Sequence, residues 1–176
     1  SPQGKVLIYI GTNYAIMRTY YWIKYYYPHL SVGLFSSLVP KEVKTRELNN
    51  RIILTTTKSA GAALDIQGLE LTIVLNEPFK SPVLTKQTFG RTRAHNTRYI
   101  DIVDVGFSTL KHYYASKKPL FRKIATDCVE IQLSDHDINQ KLLEIEREER
   151  RRLQLIQDRP NLKQVVELTQ KAGEGN

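Results

Sequence analysis

The chain has 176 residues, enough for one domain with a substantial core plus an appendage. Its formal net charge of +8 favours an acidic partner such as nucleic acid, although a basic surface that only aids solubility gives the same charge. The single cysteine, Cys128, excludes an internal disulfide and fits an intracellular, reducing compartment. No apolar run reaches the roughly 20 residues of a membrane span. The chain begins without methionine, so we expect it to be part of a longer protein.

Short apolar, β-branched runs alternate with helical patterns over the first 125 residues. Strands are predicted at residues 5–10, 31–35, 51–56, 71–76 and 98–105, and helices at 14–27, 40–49, 82–92 and 107–125. The first helix is expected to be capped by Thr12 or Asn13 and to end before Pro28. This alternation predicts an α/β domain, with a parallel sheet that carries helices on both faces.

The composition changes after residue 126, which predicts a domain over residues 1–126 and a charged helical extension over 127–176. An edge strand is expected at 129–133, and then a helix at 138–157 that Asp135 caps. The apolar positions of this helix form a broken stripe of Ile138, Leu142, Ile145, Leu153 and Ile156. Two interpretations stay open: a solvated helix laid over the domain, or an arm that binds nucleic acid, another domain or a second copy.

Polar residues follow the predicted strands, where parallel sheets bind ligands. Gly11, Thr12 and Asn13 follow the first strand, Ser36 and Ser37 the second, and Thr55 to Thr57 the third. Small residues and Asp65 come next. Threonine hydroxyls and free amides can hold a phosphate, and small residues let the backbone approach it. The same segment is also typical of a strand that leads into a tightly packed helix.

A basic segment, Gln87-Thr88-Phe89-Gly90-Arg91-Thr92-Arg93, lies further along the chain. Arginine keeps its charge and presents a planar fork of donors, which suits it to phosphate. A basic helical turn is by itself usually a solvated surface. The segment gains meaning from the strand and small-residue stretch that precede it.

Together these segments resemble the second RecA-like domain of superfamily 2 helicases, the large DEAD-like group. ILTTTKSAGAALDIQGLELTIVLNEP resembles motif V and its following strand, with Thr57, Ala63 and Asp65 on the motif's threonine, glycine and aspartate. QTFGRTRAH resembles motif VI, with Gln87, Gly90 and Arg91 in register. KVLIYIGTN resembles motif IV. The resemblance covers residues 5–125, so it implies a RecA-like fold.

The resemblance implies one half of an ATP-dependent helicase or translocase. Nothing here matches the phosphate loop GxxxxGK[ST], so ATP and Mg²⁺ would be held mainly by an N-terminal RecA-like domain of the same chain, and this part alone is expected to be inactive. Arg91 and Arg93 would act as the arginine finger. The implied nucleotide contacts are Asp65, Gln87 and Gly90, and the implied nucleic-acid contacts are Gly11, Thr12, Asn13, Ser36 and Thr57.

The chain departs from the family pattern at several positions. Ala94 stands where the second motif VI arginine is usual, and Arg93 lies one residue early. Lys58 and Ala62 point away from the RNA-helicase branch, toward viral, phage or DNA-repair relatives, and favour DNA over RNA. The missing arginine also keeps open a second interpretation, an inert RecA-like module that binds nucleic acid or a protein.

The predicted first helix is rich in aromatic residues. Tyr21, Trp22 and Tyr25 recur at helical spacing, which usually indicates packing; base stacking beside lysines is the alternative. The four histidines lack metal-ligand spacing, so no metal site is predicted.

Overall fold

The computed structural model describes residues 4–59, 64, 66–75 and 97–157. In this part of the chain the strands are β1 (Lys5–Ile10), β2 (Val32–Phe35), β3 (Ile52–Thr55), β4 (Leu69–Leu75) and β5 (Arg98–Ile102). The helices are α1 (Asn13–Tyr26), α2 (Lys41–Glu47), α3 (Ser108–Ile124) and α4 (Asp135–Gln157). The helix predicted at 82–92 lies outside the described residues.

The five strands form one parallel sheet in the order β2-β3-β1-β4-β5. β1 lies at the centre because it pairs with both β3 and β4, and its residues are apolar on both faces, as buried parallel strands require. β5 is an edge strand whose alternate residues are exposed, as its alternating polarity predicts. The predicted α/β fold with a parallel sheet is confirmed.

Helices cover both faces of this sheet. On one face, Ile16 and Ile23 of α1 pack into a cluster with Ile10, Val32 and Leu54. On the other face, Tyr99 packs against a second cluster built around Tyr9, and the Phe121 ring of α3 lies 5.5 Å from the Tyr99 ring. The sheet is therefore held between two apolar layers, and its strand ends are fixed in position.

Close contacts fix α2 beside β2. The Glu47 side chain accepts, at Oε2, a hydrogen bond from the Leu34 amide at 3.0 Å. A Cβ atom at Gly33 would collide with the Glu47 carbonyl, so only glycine lets the helix end approach the strand this closely. These contacts hold the C-terminal end of α2 against β2.

Residues 129–176 form a second compact unit after the first, residues 1–128. The predicted edge strand at 129–133 is wrong: the segment has no regular structure, and its apolar residues Val129, Ile131 and Leu133 are exposed. Alternating apolar residues there do not meet a partner strand. α4 begins at Asp135, earlier than predicted, and Ser134 rather than Asp135 caps it, since Ser134 Oγ accepts from the Asp137 amide at 3.2 Å.

Within the described ranges, no helix combines the length and apolar character that crossing a membrane needs.

Candidate nucleic-acid interface

Three loops meet at the carboxyl end of the sheet, because β2, β3 and β1 are neighbours in it. They are residues 11–13 after β1, 36–37 after β2 and 55–59 at and after the end of β3; we call them the strand-end edge. The register keeps the three ends level, with Phe35 opposite Thr55 and Tyr9 opposite Thr55. The sequence prediction that these residues lie at one edge of a sheet agrees with this geometry.

The loop after β1 starts helix α1. Thr12 is the N-cap residue, in extended conformation, and its Oγ1 accepts from the Ala15 amide at 3.1 Å. Its side chain remains exposed to solvent. One lone pair is thus used inside the protein, while the hydroxyl hydrogen can still donate outward.

Asn13 joins this loop to the loop after β2. Its Nδ2 donates to Ser37 Oγ at 2.7 Å. Its Oδ1 is buried and, among the residues that the structure describes, has no hydrogen-bond partner. Buried oxygen atoms without a hydrogen-bond donor are uncommon in folded proteins, and this one lies in the strand-end edge.

The two serines after β2 have different environments. Ser36 is fully buried, and its Oγ accepts from the Leu38 amide at 3.2 Å, so its side chain shapes the turn. Ser37 is exposed and receives the bond from Asn13. The sequence predicts Ser36 as a contact with the nucleic-acid strand. The structure buries its side chain and leaves Ser37 as the hydroxyl of this loop that faces solvent.

The threonines at the end of β3 form an ordered turn. Thr55 Oγ1 donates to the Phe35 carbonyl at 2.7 Å, which fastens the end of β3 to the end of β2. Thr56 Oγ1 accepts from the Ser59 amide at 3.2 Å and donates to Ser59 Oγ at 3.1 Å. Thr57 is half-buried, and Lys58 beside it is exposed.

The chemistry of the strand-end edge fits an anion. None of its residues is a carboxylate, whereas it offers hydroxyls, backbone amides and the Lys58 ammonium group. Hydroxyls and amides from loops are common partners of nucleic-acid phosphates, and such contacts position a strand without reading its sequence. The edge is therefore able to bind a phosphate backbone.

Five residues named from the sequence lie outside the described residues: Asp65, Gln87, Gly90, Arg91 and Arg93. Their roles stay predictions. Within the described part, no cluster of three histidine, cysteine, aspartate or glutamate side chains is arranged to hold a metal ion.

A shallow cavity lies at the opposite edge of the sheet, away from the strand-end edge. Its volume is about 420 Å³, and it is lined by Lys5, His29, Leu30, Ser31, Asn49 and Arg51. Lys5 is the first residue of β1, and the other lining residues precede β2 or β3, so the cavity is not part of the strand-end edge.

The prediction that the aromatic residues of α1 are packing residues is wrong for three of them. Tyr21, Trp22 and Tyr25 are exposed, as are Tyr14 and Tyr27. The core-facing side of α1 is formed instead by Ile16 and Ile23. Because nearly every side of this helix carries an apolar or aromatic residue, helical spacing alone could not identify the buried side.

No protein-family model matches the chain, and no curated protein matches its sequence. Solved structures do share its fold. The C-terminal domain of a Saccharomyces cerevisiae Dbp5 variant, bound to Gle1 and IP6, matches with a TM-score of 0.60 and 15% identity, over 82% of this chain and 83% of that one. Dbp5 bound to RNA and ADP BeF3 matches with a TM-score of 0.59 and 15% identity, over 81% of this chain.

This likeness shows that the chain has the RecA-like α/β fold. The chain spans about two fifths of the longer Dbp5 chains, 39% in one structure and 38% in another.

Proposed function

We propose that the chain is the C-terminal motor domain of an ATP-dependent helicase or translocase that grips one nucleic-acid strand by its phosphates. The observation that carries the proposal is the strand-end edge. Three loops from neighbouring strands join there, tied by the hydrogen bond from Asn13 to Ser37, and they present donors without any carboxylate. A phosphate backbone needs such a surface.

The fold supports the same function. Dbp5, whose C-terminal RecA-like domain has this fold, is a DEAD-box helicase, and one of its matched structures contains RNA and ADP BeF3. The sequence departures favoured DNA, but the nucleic acid in this neighbour is RNA. We therefore propose RNA as the strand to test first. A viral or phage origin remains a prediction from the sequence.

Two hydroxyls are the strongest candidates for contacts with the strand. Thr12 and Ser37 each accept one hydrogen bond inside the protein, from Ala15 and Asn13, and both side chains are exposed. Each can therefore donate its hydroxyl hydrogen to a phosphate oxygen while the accepted bond fixes its direction. The Gly11 backbone, Thr57 and Lys58 would contact neighbouring phosphates on the same strand.

The proposed ATP site would lie between this domain and an N-terminal RecA-like domain. ATP with Mg²⁺ would be held mainly by that N-terminal domain, and its hydrolysis would supply the energy for movement along the strand. Asp65, Gln87 and Gly90 would contact the nucleotide. Arg91, with Arg93 beside it, would stabilise the charge that develops on the transferred group.

The test uses the full-length protein that contains this chain. Arg91→Ala should lower the RNA-stimulated ATPase rate by about a thousandfold while RNA affinity stays near normal, because arginine fingers typically contribute rate factors of that size. Thr57→Ala should instead weaken RNA binding or uncouple it from hydrolysis. Arg122→Ala removes an exposed arginine from α3 and serves as the matched control, with both properties unchanged.

Near-normal turnover in Arg91→Ala would refute the assignment of Arg91 as the arginine finger. Absence of hydrolysis in the wild-type protein, with binding retained, would favour the inert binding module instead. Ala94 favours this second function, because it stands where the second arginine of motif VI is usual.

A further inference from the structure

The outer side of α1 carries an exposed row of three tyrosines and an arginine. Tyr14, Tyr21 and Tyr25 are 72%, 64% and 60% exposed, and Arg18 lies between them in sequence and is exposed too. Spacings of four, three and four residues keep all four side chains within roughly 60° around the helix and spread them over about 16 Å of its length. We call this row the tyrosine face.

The tyrosine face points away from the core of the domain. The buried residues of α1, Ile16 and Ile23, lie on the opposite side of the helix. The exposed side of a surface helix usually carries charged and polar residues, and a large contiguous exposed apolar patch commonly marks an interaction site. Packing within the domain therefore does not explain these three tyrosines.

Each ring of the tyrosine face is braced by a neighbour. Arg18 lies over the Tyr14 ring at 5.9 Å from its centroid, the Tyr20 and Tyr21 rings meet edge to face at 5.6 Å, and Tyr25 and Tyr26 do so at 5.0 Å. Such contacts restrict the rotamers of the exposed rings. A ligand that stacks on them would consequently lose less conformational entropy on binding.

The charge of α1 selects the class of ligand. The helix contains Arg18 and Lys24 and no aspartate or glutamate. Within α1 itself, Lys24 lies over the Tyr20 ring at 5.9 Å. Aromatic rings set among cations, with no carboxylate on the same helix, are the combination that binds single-stranded nucleic acid.

The tyrosine face also begins at the strand-end edge. Thr12 caps α1, and Tyr14 is two residues further along the chain. We infer that the tyrosine face of α1 is a second nucleic-acid site, on which bases of a single strand stack as it leaves the strand-end edge. The inference rests on the proposed function, because the strand is first held by its phosphates there.

The chain contains its own reporter for this contact. Trp22, the single tryptophan, is exposed beside the tyrosine face, and its ring lies 4.7 Å from that of Tyr26. A base that stacks on Tyr21 or Tyr25 would lie close enough to quench Trp22 emission. Binding confined to the strand-end edge would leave this emission unchanged.

The experiment titrates the chain with short single-stranded oligouridylate, and in parallel with oligothymidylate. Affinity is measured by anisotropy of a labelled oligonucleotide, and Trp22 emission with an unlabelled one. The double variant Tyr21→Ser with Tyr25→Ser should bind about tenfold or more weakly and lose the quenching, since each stacked base contributes a several-fold effect. The matched control, Tyr21→Phe with Tyr25→Phe, keeps both rings and should retain affinity and quenching.

Other outcomes separate this inference from the proposed function. Loss of binding in Ser37→Ala or Thr57→Ala, with the tyrosine variants and Trp22 emission unaffected, overturns the tyrosine face alone. No binding of either oligonucleotide by the wild-type chain overturns both. A double serine variant that changes only self-association, measured by size-exclusion chromatography, would make the face a protein interface and also overturn the inference.

Discussion

A buried ion pair joins α3 to the edge strand β5. Lys117 Nζ lies 2.7 Å from Asp101 Oδ2, and both side chains are almost fully buried. Burial raises the pKa of the Asp101 carboxyl, and the charge and hydrogen bond of Lys117 oppose that rise. Burial, with Asp101 nearby, also holds the pKa of Tyr99 far above its usual range. Removing either Lys117 or Asp101 would therefore leave the other group buried without its partner.

We expect Lys117→Met to destabilise the domain by about 3 kcal/mol, because it leaves a buried carboxylate without its cation. Urea unfolding followed by circular dichroism measures the change. Lys111→Met, an exposed position of the same helix, should be near neutral. The double variant Lys117→Met with Asp101→Leu should recover most of the loss. Equal unfolding midpoints for Lys117→Met and Lys111→Met would contradict the importance of the pair.

For single residues, sequence patterns predicted the place of a residue in the fold better than they predicted its burial or its hydrogen-bond partners. Thr12, Asn13 and Thr57 were expected at strand ends because polar residues follow apolar runs, and they lie there. Lys117 gave no such signal, since a lysine in a helix normally faces solvent and its partner lies in another element. The burial of Ser36 was equally hidden, because it depends on how the loop folds back.

Among the elements, α4 shows how a helix start is built. Ser134 Oγ accepts from the Asp137 amide at 3.2 Å, and Asp137 accepts from the Ser134 amide at 2.9 Å and from its hydroxyl at 2.6 Å. This reciprocal pair is a capping box with aspartate. The hydroxyl and then the amide of Ser134 lower the pKa of Asp137.

The cap predicts a pH dependence for α4. A lowered pKa in the folded state means that ionised Asp137 stabilises the helix above the ordinary aspartate pKa, and that this is lost as pH falls through the lowered value. Far-ultraviolet circular dichroism should therefore show helix content falling below about pH 4. Asp137→Asn should remove that part of the titration, while Asp135→Asn, which keeps the Ser134 contacts, should retain it. Identical acid titrations of wild type and Asp137→Asn would refute the cap.

Predicted elements were found within a few residues where the pattern was local. β1 has the expected bounds, and α1 starts one residue earlier than expected. The strand at 129–133 failed because alternation describes a strand only when another strand is present to pair with it.

For the whole molecule, the sequence predicted a parallel sheet but not its strand order. Alternating strands and helices imply right-handed crossovers, yet they do not say that β3 lies between β1 and β2. That order brings residues 11–13, 36–37 and 55–59 together. The site could therefore be expected at one edge, while its hydrogen bond between Asn13 and Ser37 needed the structure.

The division of the chain into two units predicts the effect of truncation. Both apolar clusters, and every buried residue of the described part, precede residue 128. A chain that ends at residue 128 should therefore unfold with a midpoint within a few degrees of the whole chain, measured by thermal circular dichroism at the sheet signal. A chain that ends at residue 102 loses α3 with Phe121 and Lys117, and should be unfolded. A large fall in midpoint for the longer truncation would contradict the division.

The central position of β1 also governs how the chain can fold. β1 is the first strand in sequence, but its two partners, β3 and β4, end at Thr55 and Leu75. During synthesis the apolar residues of β1 stay unpaired until both partner strands have been made. The nucleus of the sheet therefore depends on contacts distant in sequence, which form slowly. Until Leu75 has left the ribosome, β1 has an unpaired edge, and early folding intermediates would be the species most in need of a chaperone.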